Sequence, residues 1–171
     1  MGRLSRPRPL RADDDRVAFD CGRESLNQWF WQNAWRNQAS GASRTSVVCD
    51  PETQVIVGFV SLSAAQVQRA FLPRPAQRNR PDPIPVILLG RLAVDLRYQG
   101  KGYSRSLMIF ALTTAVRLSR KIGCFGVLTH PLDEGVRAFY ARFGFEALPS
   151  DPQSGMIVRI AELERAGFAI D

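Results

Sequence analysis

Lysine, histidine and cysteine are scarce in this sequence of 171 residues. Lysine accounts for only two of the 23 basic residues, Lys101 and Lys121, and histidine occurs once. The three cysteines (Cys21, Cys49 and Cys124) are scattered and odd in number, which indicates reduced thiols rather than a disulfide framework. One histidine and the lack of a C-x-x-C pair argue against a structural zinc site, and we expect no metal.

Long apolar runs are also missing. None approaches the roughly 20 residues that span a bilayer, and the basic, proline-rich residues 1–11 lack the apolar stretch of a secretory signal. The sequence therefore predicts a cytoplasmic protein with no membrane partner. Its length and its 45% share of hydrophobic residues predict one globular domain over residues 1–171, with residues 1–15 either flexible or forming an extended first strand.

Arginine dominates the positive charge of the chain, whose formal net charge is +7. Arginines are concentrated in the proline-rich segment 70–83, which has no regular hydrophobic periodicity. Because arginine binds phosphate through two parallel hydrogen bonds, the segment is a candidate contact for nucleic acid. Alternatively, it is a solvated loop, and the excess of arginine reflects genomic base composition. The candidate nucleic-acid-binding residues are Arg44, Arg74, Arg78, Arg80 and Arg91.

The most informative segment covers residues 86–107. An apolar, strand-like run ends at Asp95, a short loop contains Gly100 and Gly102, and a helical pattern begins near Ser104. Such a join directs backbone N–H groups and the positive end of a helix dipole to one point, which favours phosphate. The segment therefore predicts a phosphate-binding loop; the alternative is a glycine-containing turn without a ligand.

Three known loop patterns compete for this segment. The triphosphate-binding pattern G-x-x-x-x-G-K-[ST] fails because Asp95 occupies its first glycine position. The dinucleotide pattern G-x-G-x-x-G fails because Arg105 occupies its third glycine position. The pattern Q/R-x-x-G-x-G/A matches residues 99–104, with Ser104 in place of the last small residue. This match resembles the acetyl-coenzyme A pyrophosphate loop of the GNAT acyltransferase superfamily.

A second segment, residues 125–145, strengthens the resemblance. A β-rich run ends at Thr129, and Pro131 is expected in the first turn of the helix that follows. Apolar residues then keep helical spacing until Gly144 ends the helix. Residues 138–145, Ala-Phe-Tyr-Ala-Arg-Phe-Gly-Phe, resemble the A-x-x-F-Y-x-x-x-G-F motif that closes the GNAT core. Two such segments in this order indicate the GNAT superfamily more specifically than either segment alone.

The periodicity of the remaining chain completes the fold prediction. Helices are expected over residues 24–37, with Asp20 as the N-cap and Gly41 at the end, and over residues 105–120. Strands are expected at Thr45–Cys49, Gln54–Ser63, Val86–Asp95, Phe125–Thr129, Phe145–Leu148 and Met156–Ile160. This order predicts an α/β protein of GNAT fold: a single mixed, largely antiparallel central sheet with helices on both faces.

The GNAT resemblance implies how acetyl-CoA is held. It implies that the strand before Asp95 pairs with the pantetheine arm and exposes, at a bulge, an N–H to the thioester oxygen. The loop would wrap the pyrophosphate, with added charge from Lys101 and Arg105. The implied coenzyme-binding residues are Leu92, Ala93, Val94, Gln99, Gly100, Lys101, Gly102, Tyr103, Ser104 and Arg105.

Tyr140 is the candidate general acid. A phenol, with an ordinary pKa near 10, is neutral at working pH and can protonate a departing thiolate; the alternative is a tyrosine of the core. No general base stands out. His130 is more often a packing or turn residue than a catalyst, and a catalytic role for it remains the alternative to be tested. An α-amine has a pKa near 8, against about 10.4 for lysine, so the missing base favours an aminoacyl ester as the acceptor.

Further pieces of the chain resemble one GNAT subfamily. They are Phe19-x-Cys21-x-x-x-x-Leu26-Asn27-x-Trp29-Phe30, Gly41–Thr45, Val57-Gly58-Phe59-x-x-Leu62 and Leu89–Asp95. In this order they resemble the TacT-like toxins of type II toxin–antitoxin systems. That resemblance implies a translation-blocking enzyme that acetylates the amine of aminoacyl-tRNA, forms a homodimer and is neutralised by a ribbon-helix-helix antitoxin. Two alternatives remain: an acetyltransferase of a small-molecule or protein amine, and an inactive module that binds nucleic acid or an antitoxin.

Overall fold

The computed structural model describes residues 5–168. Its helices are α1 (Glu24–Gln32), α2 (Ala34–Ser40), α3 (Arg74–Gln77), α4 (Tyr103–Ser119), α5 (Glu134–Ala141) and α6 (Ile160–Leu163). Its strands are β1 (Arg8–Pro9), β2 (Arg44–Cys49), β3 (Ile56–Val67), β4 (Ile84–Val94), β5 (Gly126–Thr129), β6 (Glu146–Ala147) and β7 (Met156–Arg159). In the described part of the chain, no helix has the length and apolar character needed to cross a membrane.

The seven strands form one mixed sheet in the order β1-β2-β3-β4-β5-β7-β6. Strand β2 runs antiparallel to β1 and β3, and β7 runs antiparallel to β5 and β6. The pair β4–β5 is parallel, with Ile87 opposite Val127 and Leu88 opposite Leu128. A parallel pair needs a long crossover, which here contains α4. The prediction of a mixed, largely antiparallel sheet is therefore confirmed.

The chain divides into two compact units. The first contains the residues up to Ser63 together with Gly90–Ala111. Aromatic packing dominates its core: the rings of Phe30 and Phe59 stack with centroids 4.3 Å apart, and Phe19 meets both edge-on. Offset and edge-to-face aromatic pairs stabilise a core by about 0.5–1.5 kcal/mol beyond the area they bury.

The second unit contains Ala64–Leu89 and the residues from Leu112 onwards. Aliphatic side chains fill its core: Val67, Leu72, Ile84, Val86, Leu128, Leu148 and Ile157. Segment 70–83 is more regular than its sequence indicates, because a 3-10 turn covers Arg69–Phe71 and α3 follows. Leu72 explains the difference, since its buried side chain anchors this segment to the core.

Three local predictions about helix ends were wrong. The expected helix over residues 24–37 is broken at Asn33 into α1 and α2. Asp20 is not its N-cap, because its carboxylate accepts hydrogen bonds from the Gly22 N–H and the Asn27 amide instead. Pro131 precedes α5, whose N-cap is Asp133: the Asp133 carboxylate accepts a hydrogen bond from the Val136 N–H. Gly41, in the left-handed conformation, ends α2 as expected.

Candidate active site

The loop between β4 and α4 is the candidate phosphate site. Its two glycines, Gly100 and Gly102, have φ angles of +77° and +89°, which residues with a Cβ rarely adopt. A Cβ placed on either glycine would lie more than 4 Å from any heavy atom beyond the adjoining residues, so open space surrounds both. The loop leads directly into α4, a helix of 17 residues, whose first N–H groups lack acceptors within the helix. This combination fits an anionic ligand.

Asp95 holds the start of this loop. Its side chain is almost fully buried, and its carboxylate accepts hydrogen bonds from the backbone N–H of Asp20 and of Arg97. The Arg97 guanidinium adds two charge-assisted contacts of 3.0 and 3.1 Å. Burial alone would raise the pKa of the Asp95 carboxyl, but the hydrogen bonds from Arg97 and Asp20 hold that pKa below its usual value.

Gln99 holds the middle of the loop through its side chain. Its amide donates to the carbonyl of Val94 at 2.9 Å and to that of Cys21 at 3.3 Å. These bonds tie the loop to the end of β4 and to Cys21, while Gly100 is exposed. Lys101 lies on the loop with its ammonium 5.4 Å from the Tyr98 ring centroid. Arg105 is exposed on the first turn of α4.

Tyr103 and Ser104 differ from the other loop residues. Tyr103 is buried and meets the Tyr98 ring edge-on at 6.2 Å. Ser104 was expected close to the helix start, but α4 already begins at Tyr103. Both residues can therefore contact a ligand only through their backbone N–H groups or, for Ser104, a half-exposed hydroxyl.

The strand before the loop carries the three residues expected to pair with pantetheine. Ala93 and Val94 are buried and Leu92 is half-buried. At the end of the strand, the Asp95 N–H donates to the Val57 carbonyl at 2.8 Å. The bulge and its exposed N–H stay a prediction. Next to these residues, the Arg91 guanidinium stacks 4.3 Å from the centroid of the Trp29 ring, and burial lowers the pKa of Arg91.

Tyr140 lies in the second unit, on α5. It is 5% exposed and packs edge-on against Phe139 and Phe145. At the end of β5, the Thr129 hydroxyl donates to the Leu89 carbonyl on β4 at 3.0 Å. Burial raises the pKa of the Tyr140 phenol, and the Thr129 hydroxyl opposes this only in part. The phenol is therefore neutral at physiological pH.

His130, the residue after Thr129, borders a separate cavity of about 380 Å³. The wall of this cavity combines the rings of Phe71 and Pro83 with the polar side chains of His130 and Asp151. The His130 Nε2 lies 3.9 Å from a carboxylate oxygen of Asp151. That oxygen also accepts the Gly155 N–H at 2.9 Å, so Asp151 primarily shapes its own turn.

The candidate nucleic-acid residues fall into two groups. In the second unit, Arg74, Arg78 and Arg80 are all exposed. Arg80 stacks 4.5 Å from the Phe125 ring centroid, whereas Arg74 and Arg78 have no ion pair within residues 5–168. In the first unit, Arg44 is exposed and donates to the Gln38 carbonyl at 2.8 Å, and Arg91 is stacked as described above.

The cysteine thiols play no part in these contacts. Cys21, Cys49 and Cys124 are free thiols, and burial raises the pKa of each. Across residues 5–168, no three His, Cys, Asp or Glu side chains are grouped as metal ligands.

Two positioning contacts could not be predicted from the residue pattern. One is the bond from the Thr129 hydroxyl to the Leu89 carbonyl, which depends on the parallel register of β4 and β5. The other is the anchoring of Asp95 to the Asp20 N–H; Asp95 also caps the turn Leu96–Tyr98.

A model described as the acetyltransferase (GNAT) family matches residues 10–145. The chain therefore belongs to the GNAT family and is an acetyl-CoA-dependent N-acetyltransferase. The predicted fold and enzyme class are confirmed by this match and by the mixed sheet.

Several similar proteins are toxins. The chain is 39% identical to the tRNA-acetylating toxin of Mycobacterium tuberculosis over 158 residues, which cover 92% of this chain and 94% of that protein. The structure of AtaT complexed with acetyl-methionyl-tRNAfMet matches with a TM-score of 0.88 at 28% identity, covering 96% of this chain and 99% of AtaT. A second similar structure is an AtaT mutant, with phenylalanine in place of a tyrosine, bound to the C-terminus of the antitoxin AtaR and acetyl-CoA. It matches with a TM-score of 0.81 at 25% identity, covering 95% of this chain and 97% of that AtaT chain.

Proposed function

We propose that this enzyme transfers the acetyl group of acetyl-CoA to the amine of aminoacyl-tRNA and thereby blocks translation. The observation that carries the choice of acceptor is the 39% identity, over nearly the full length of both chains, to a tRNA-acetylating toxin. The similarity to AtaT in complex with an acetylated aminoacyl-tRNA supports the same acceptor. The exposed arginines of the chain are also better suited to a polyanion than to a cationic polyamine.

The loop residues fit the pyrophosphate of acetyl-CoA. Gly100 and Gly102 leave open space around the backbone, and the first N–H groups of α4, which follow directly, lack acceptors within the helix. Gln99 keeps the loop in this shape, while Lys101 and Arg105 add positive charge. Bound there, acetyl-CoA would supply the acetyl group as a thioester, with Leu92, Ala93 and Val94 along its pantetheine arm.

Tyr140 is the general acid in this proposal. The α-amine of the acceptor forms a C–N bond with the acetyl carbon, and the C–S bond breaks. Tyr140 then gives its proton to the departing sulfur, and a proton from the new ammonium restores the phenol through water. The raised pKa of Tyr140 ensures that this proton is present before the reaction.

The proposed acceptor needs contacts beyond its amine. Arg74 and Arg78 have no ion pair within the described residues, so their guanidinium groups are available for phosphates of the tRNA. Arg80 is a further proposed phosphate contact in the second unit. In the first unit, Arg44 and Arg91 are proposed phosphate contacts, Arg91 with its planar group stacked on Trp29. Arginine forks hold phosphate in two parallel hydrogen bonds.

The proposed protein partner of the enzyme is inferred from the similarity to AtaT. AtaT, at 25% identity, binds the C-terminus of its antitoxin AtaR, and we include an antitoxin of the ribbon-helix-helix class as partner of this chain. The proposal also includes a homodimer and a place of action in the cytoplasm, where charged tRNA is found.

Incubation with labelled acetyl-CoA and separate acceptors tests the function. Charged tRNA should gain the label on its α-amine, whereas uncharged tRNA, spermidine and a lysine-rich peptide should not. Label on spermidine or the peptide, and none on charged tRNA, would replace the proposal with the small-molecule or protein alternative. No transfer to any acceptor would favour the inactive binding module.

A further inference from the structure

We propose that the cavity bordered by His130, named the His130 cavity, receives one unpaired nucleobase from the acceptor end of tRNA, and that the rings of Phe71 and His130 contact that base. This inference rests on the proposed function, because it assigns one contact within the same tRNA complex. All residues that line the His130 cavity belong to the second unit.

The first support is the size and chemistry of the His130 cavity. Its volume of about 380 Å³ lies in the range of about 300–1,000 Å³ that is usual for pockets of small organic groups. Its wall combines three rings with three side-chain amides: the rings of Phe71, Pro83 and His130, and the amides of Gln66, Gln68 and Gln153. Unpaired RNA bases are bound by stacking on Phe or His rings and by hydrogen bonds to the base edges. An amide suits those edges because it offers both donors and an acceptor.

The part of the wall that contains Phe71 and Pro83 is held in place by its own chain segment. Phe71 is half-buried and packs against the core of the second unit. Pro83 follows Asp82, whose carboxylate accepts a hydrogen bond from the Arg69 N–H at 3.1 Å. The Arg69 guanidinium donates to the Arg80 carbonyl at 2.8 Å, which closes the same segment a second time. Because this wall is already ordered, a ligand does not have to order it on binding.

His130 is supported by the turn that precedes β7. The Asp151 carboxylate, 3.9 Å from the His130 Nε2, accepts the backbone N–H groups of Gln153 and Gly155, both at 2.9 Å. A Cβ added to Gly155 would lie 3.3 Å from the His130 Cδ2, so the imidazole packs closely against the Gly155 backbone. The His130 side chain is nevertheless 36% exposed. One part of the ring is therefore supported, and another part can contact a ligand.

Positive charge next to the His130 cavity favours a nucleotide as its occupant. Segment 70–83 contributes Phe71, near its start, and Pro83, at its end, to the wall, and between them it carries the exposed residues Arg74, Arg78 and Arg80. A nucleotide with its base in the cavity brings its phosphates toward this segment, whereas the side chain of the esterified amino acid brings no phosphate. The acceptor end of tRNA is single-stranded, so its bases are free to enter such a cavity.

RNA binding by the full chain tests this site without acetyl transfer. The probes are an acceptor-stem hairpin of tRNA with its 3′ single strand, the same hairpin without that strand, and the first hairpin charged with methionine. Phe71→Leu keeps apolar bulk and removes the aromatic ring, whereas Phe71→Tyr keeps the ring. Phe143→Leu is the matched control, because Phe143 is a half-buried aromatic residue of the same unit that does not line the cavity. Melting temperatures set a measuring temperature at which every variant is folded.

The proposal predicts a loss of affinity that depends on the single strand. Phe71→Leu should weaken binding of the hairpin with the single strand by about fivefold to a hundredfold, the usual effect of removing one base-stacking ring. Phe71→Tyr and Phe143→Leu should bind it like the parent, and all variants should bind the shortened hairpin equally. The slope of log K against log salt should not change for Phe71→Leu, because no phosphate contact is lost.

Fluorescence identifies the base that enters the cavity. Each base of the single strand is replaced in turn by 2-aminopurine, whose emission falls when it stacks on an aromatic ring. At one position the emission should fall on binding to the parent but not on binding to Phe71→Leu.

Three results would overturn the site: equal affinity of Phe71→Leu and the parent for the hairpin with the single strand, an equal loss on both hairpins, or no binding of either hairpin by the parent. A loss confined to the methionyl hairpin would assign the His130 cavity to the amino-acid side chain and thereby overturn the site for a base. If ring-dependent binding is observed but the parent does not acetylate charged tRNA, the proposed function is contradicted and the base site is not. If charged tRNA is acetylated but binding does not depend on the ring, only the base site is contradicted.

Discussion

The carboxylate of Asp95 accepts a hydrogen bond from the backbone N–H of Asp20 at 3.1 Å. In return, the Leu96 N–H donates to the Asp20 carbonyl at 2.8 Å. These two bonds join the segment before α1 to the loop after β4, although 75 positions separate the two aspartates. Because this loop continues to Gly100 and Gly102, Asp95 fixes where the phosphate-binding segment begins.

Replacing Asp95 by Asn should destabilise the protein by about 1–3 kcal/mol at pH 7, because the amide loses charge-assisted bonds from Arg97 and turns an N–H group toward donors. The pKa of Asp95 is lowered in the folded state. Its contribution is therefore present above the unfolded pKa, near 3.9, and is lost as the pH falls through the folded value.

Urea unfolding of parent and variant at a series of pH values measures this effect. The exposed Asp13→Asn is the control for loss of one negative charge and should unfold with the parent. If Asp95→Asn has the same free energy of unfolding as the parent at pH 7, the proposed anchoring role of Asp95 is contradicted.

Replacing Gly102 by Glu should abolish acetyl-CoA binding, with an affinity loss of at least about a hundredfold in calorimetry. The new side chain has room, but it would place a carboxylate where the pyrophosphate is expected to lie, and like charges repel. Gly41→Glu is the matched control: Gly41 also has positive φ, +81°, at the end of α2. That variant carries similar backbone strain and the same charge, and it should bind acetyl-CoA normally. Unchanged affinity of the Gly102 variant would contradict the coenzyme assignment.

Replacing Arg74, Arg78 and Arg80 together by Ala should weaken tRNA binding and flatten its dependence on salt. Removing one arginine–phosphate interaction lowers the slope of log K against log salt by about one. Acetyl-CoA affinity should stay the same. The control removes three exposed positive charges elsewhere, at Arg117 in the last turn of α4 and at Arg120 and Lys121 just after it. Equal salt slopes for parent and triple variant would mean that these arginines only face solvent.

The sequence predicts elements well where one local pattern determines them. The apolar run that ends at Asp95 and the helical spacing after the glycine loop both appear as β4 and α4. The positions of glycines with positive φ could also be predicted, because Gly100 and Gly102 match a loop pattern that requires glycine there. The order of strands and helices along the chain was sufficient to predict the fold class.

Prediction fails where a distant residue decides a local choice. Asp20 has the chemistry of an N-cap, but its carboxylate is engaged by Asn27 and Gly22. The partnership of Thr129 with Leu89 depends on the parallel register of β4 and β5, which no local pattern encodes. The candidate acid Tyr140 was found by its motif, whereas its edge-on packing against Phe139 and Phe145 became visible only in the fold.

Acetyl transfer by a Tyr140→Phe variant tests the proposed chemistry at the reacting group itself. The substitution keeps the ring and removes only the phenolic hydroxyl, so stability should fall by no more than about 1 kcal/mol. Tyr98→Phe is the control, since it also removes a phenolic hydroxyl, one that bonds to Asp50.

Single-turnover transfer from labelled acetyl-CoA to methionyl-tRNA measures the rate of the chemical step. With both variants folded, we predict a rate about 10²–10⁴-fold below the parent for Tyr140→Phe, the usual contribution of a general acid. Tyr98→Phe should retain the parent rate, and acetyl-CoA affinity should be unchanged in both. A folded Tyr140→Phe variant that acetylates methionyl-tRNA at the parent rate would contradict the assignment of Tyr140 as the general acid.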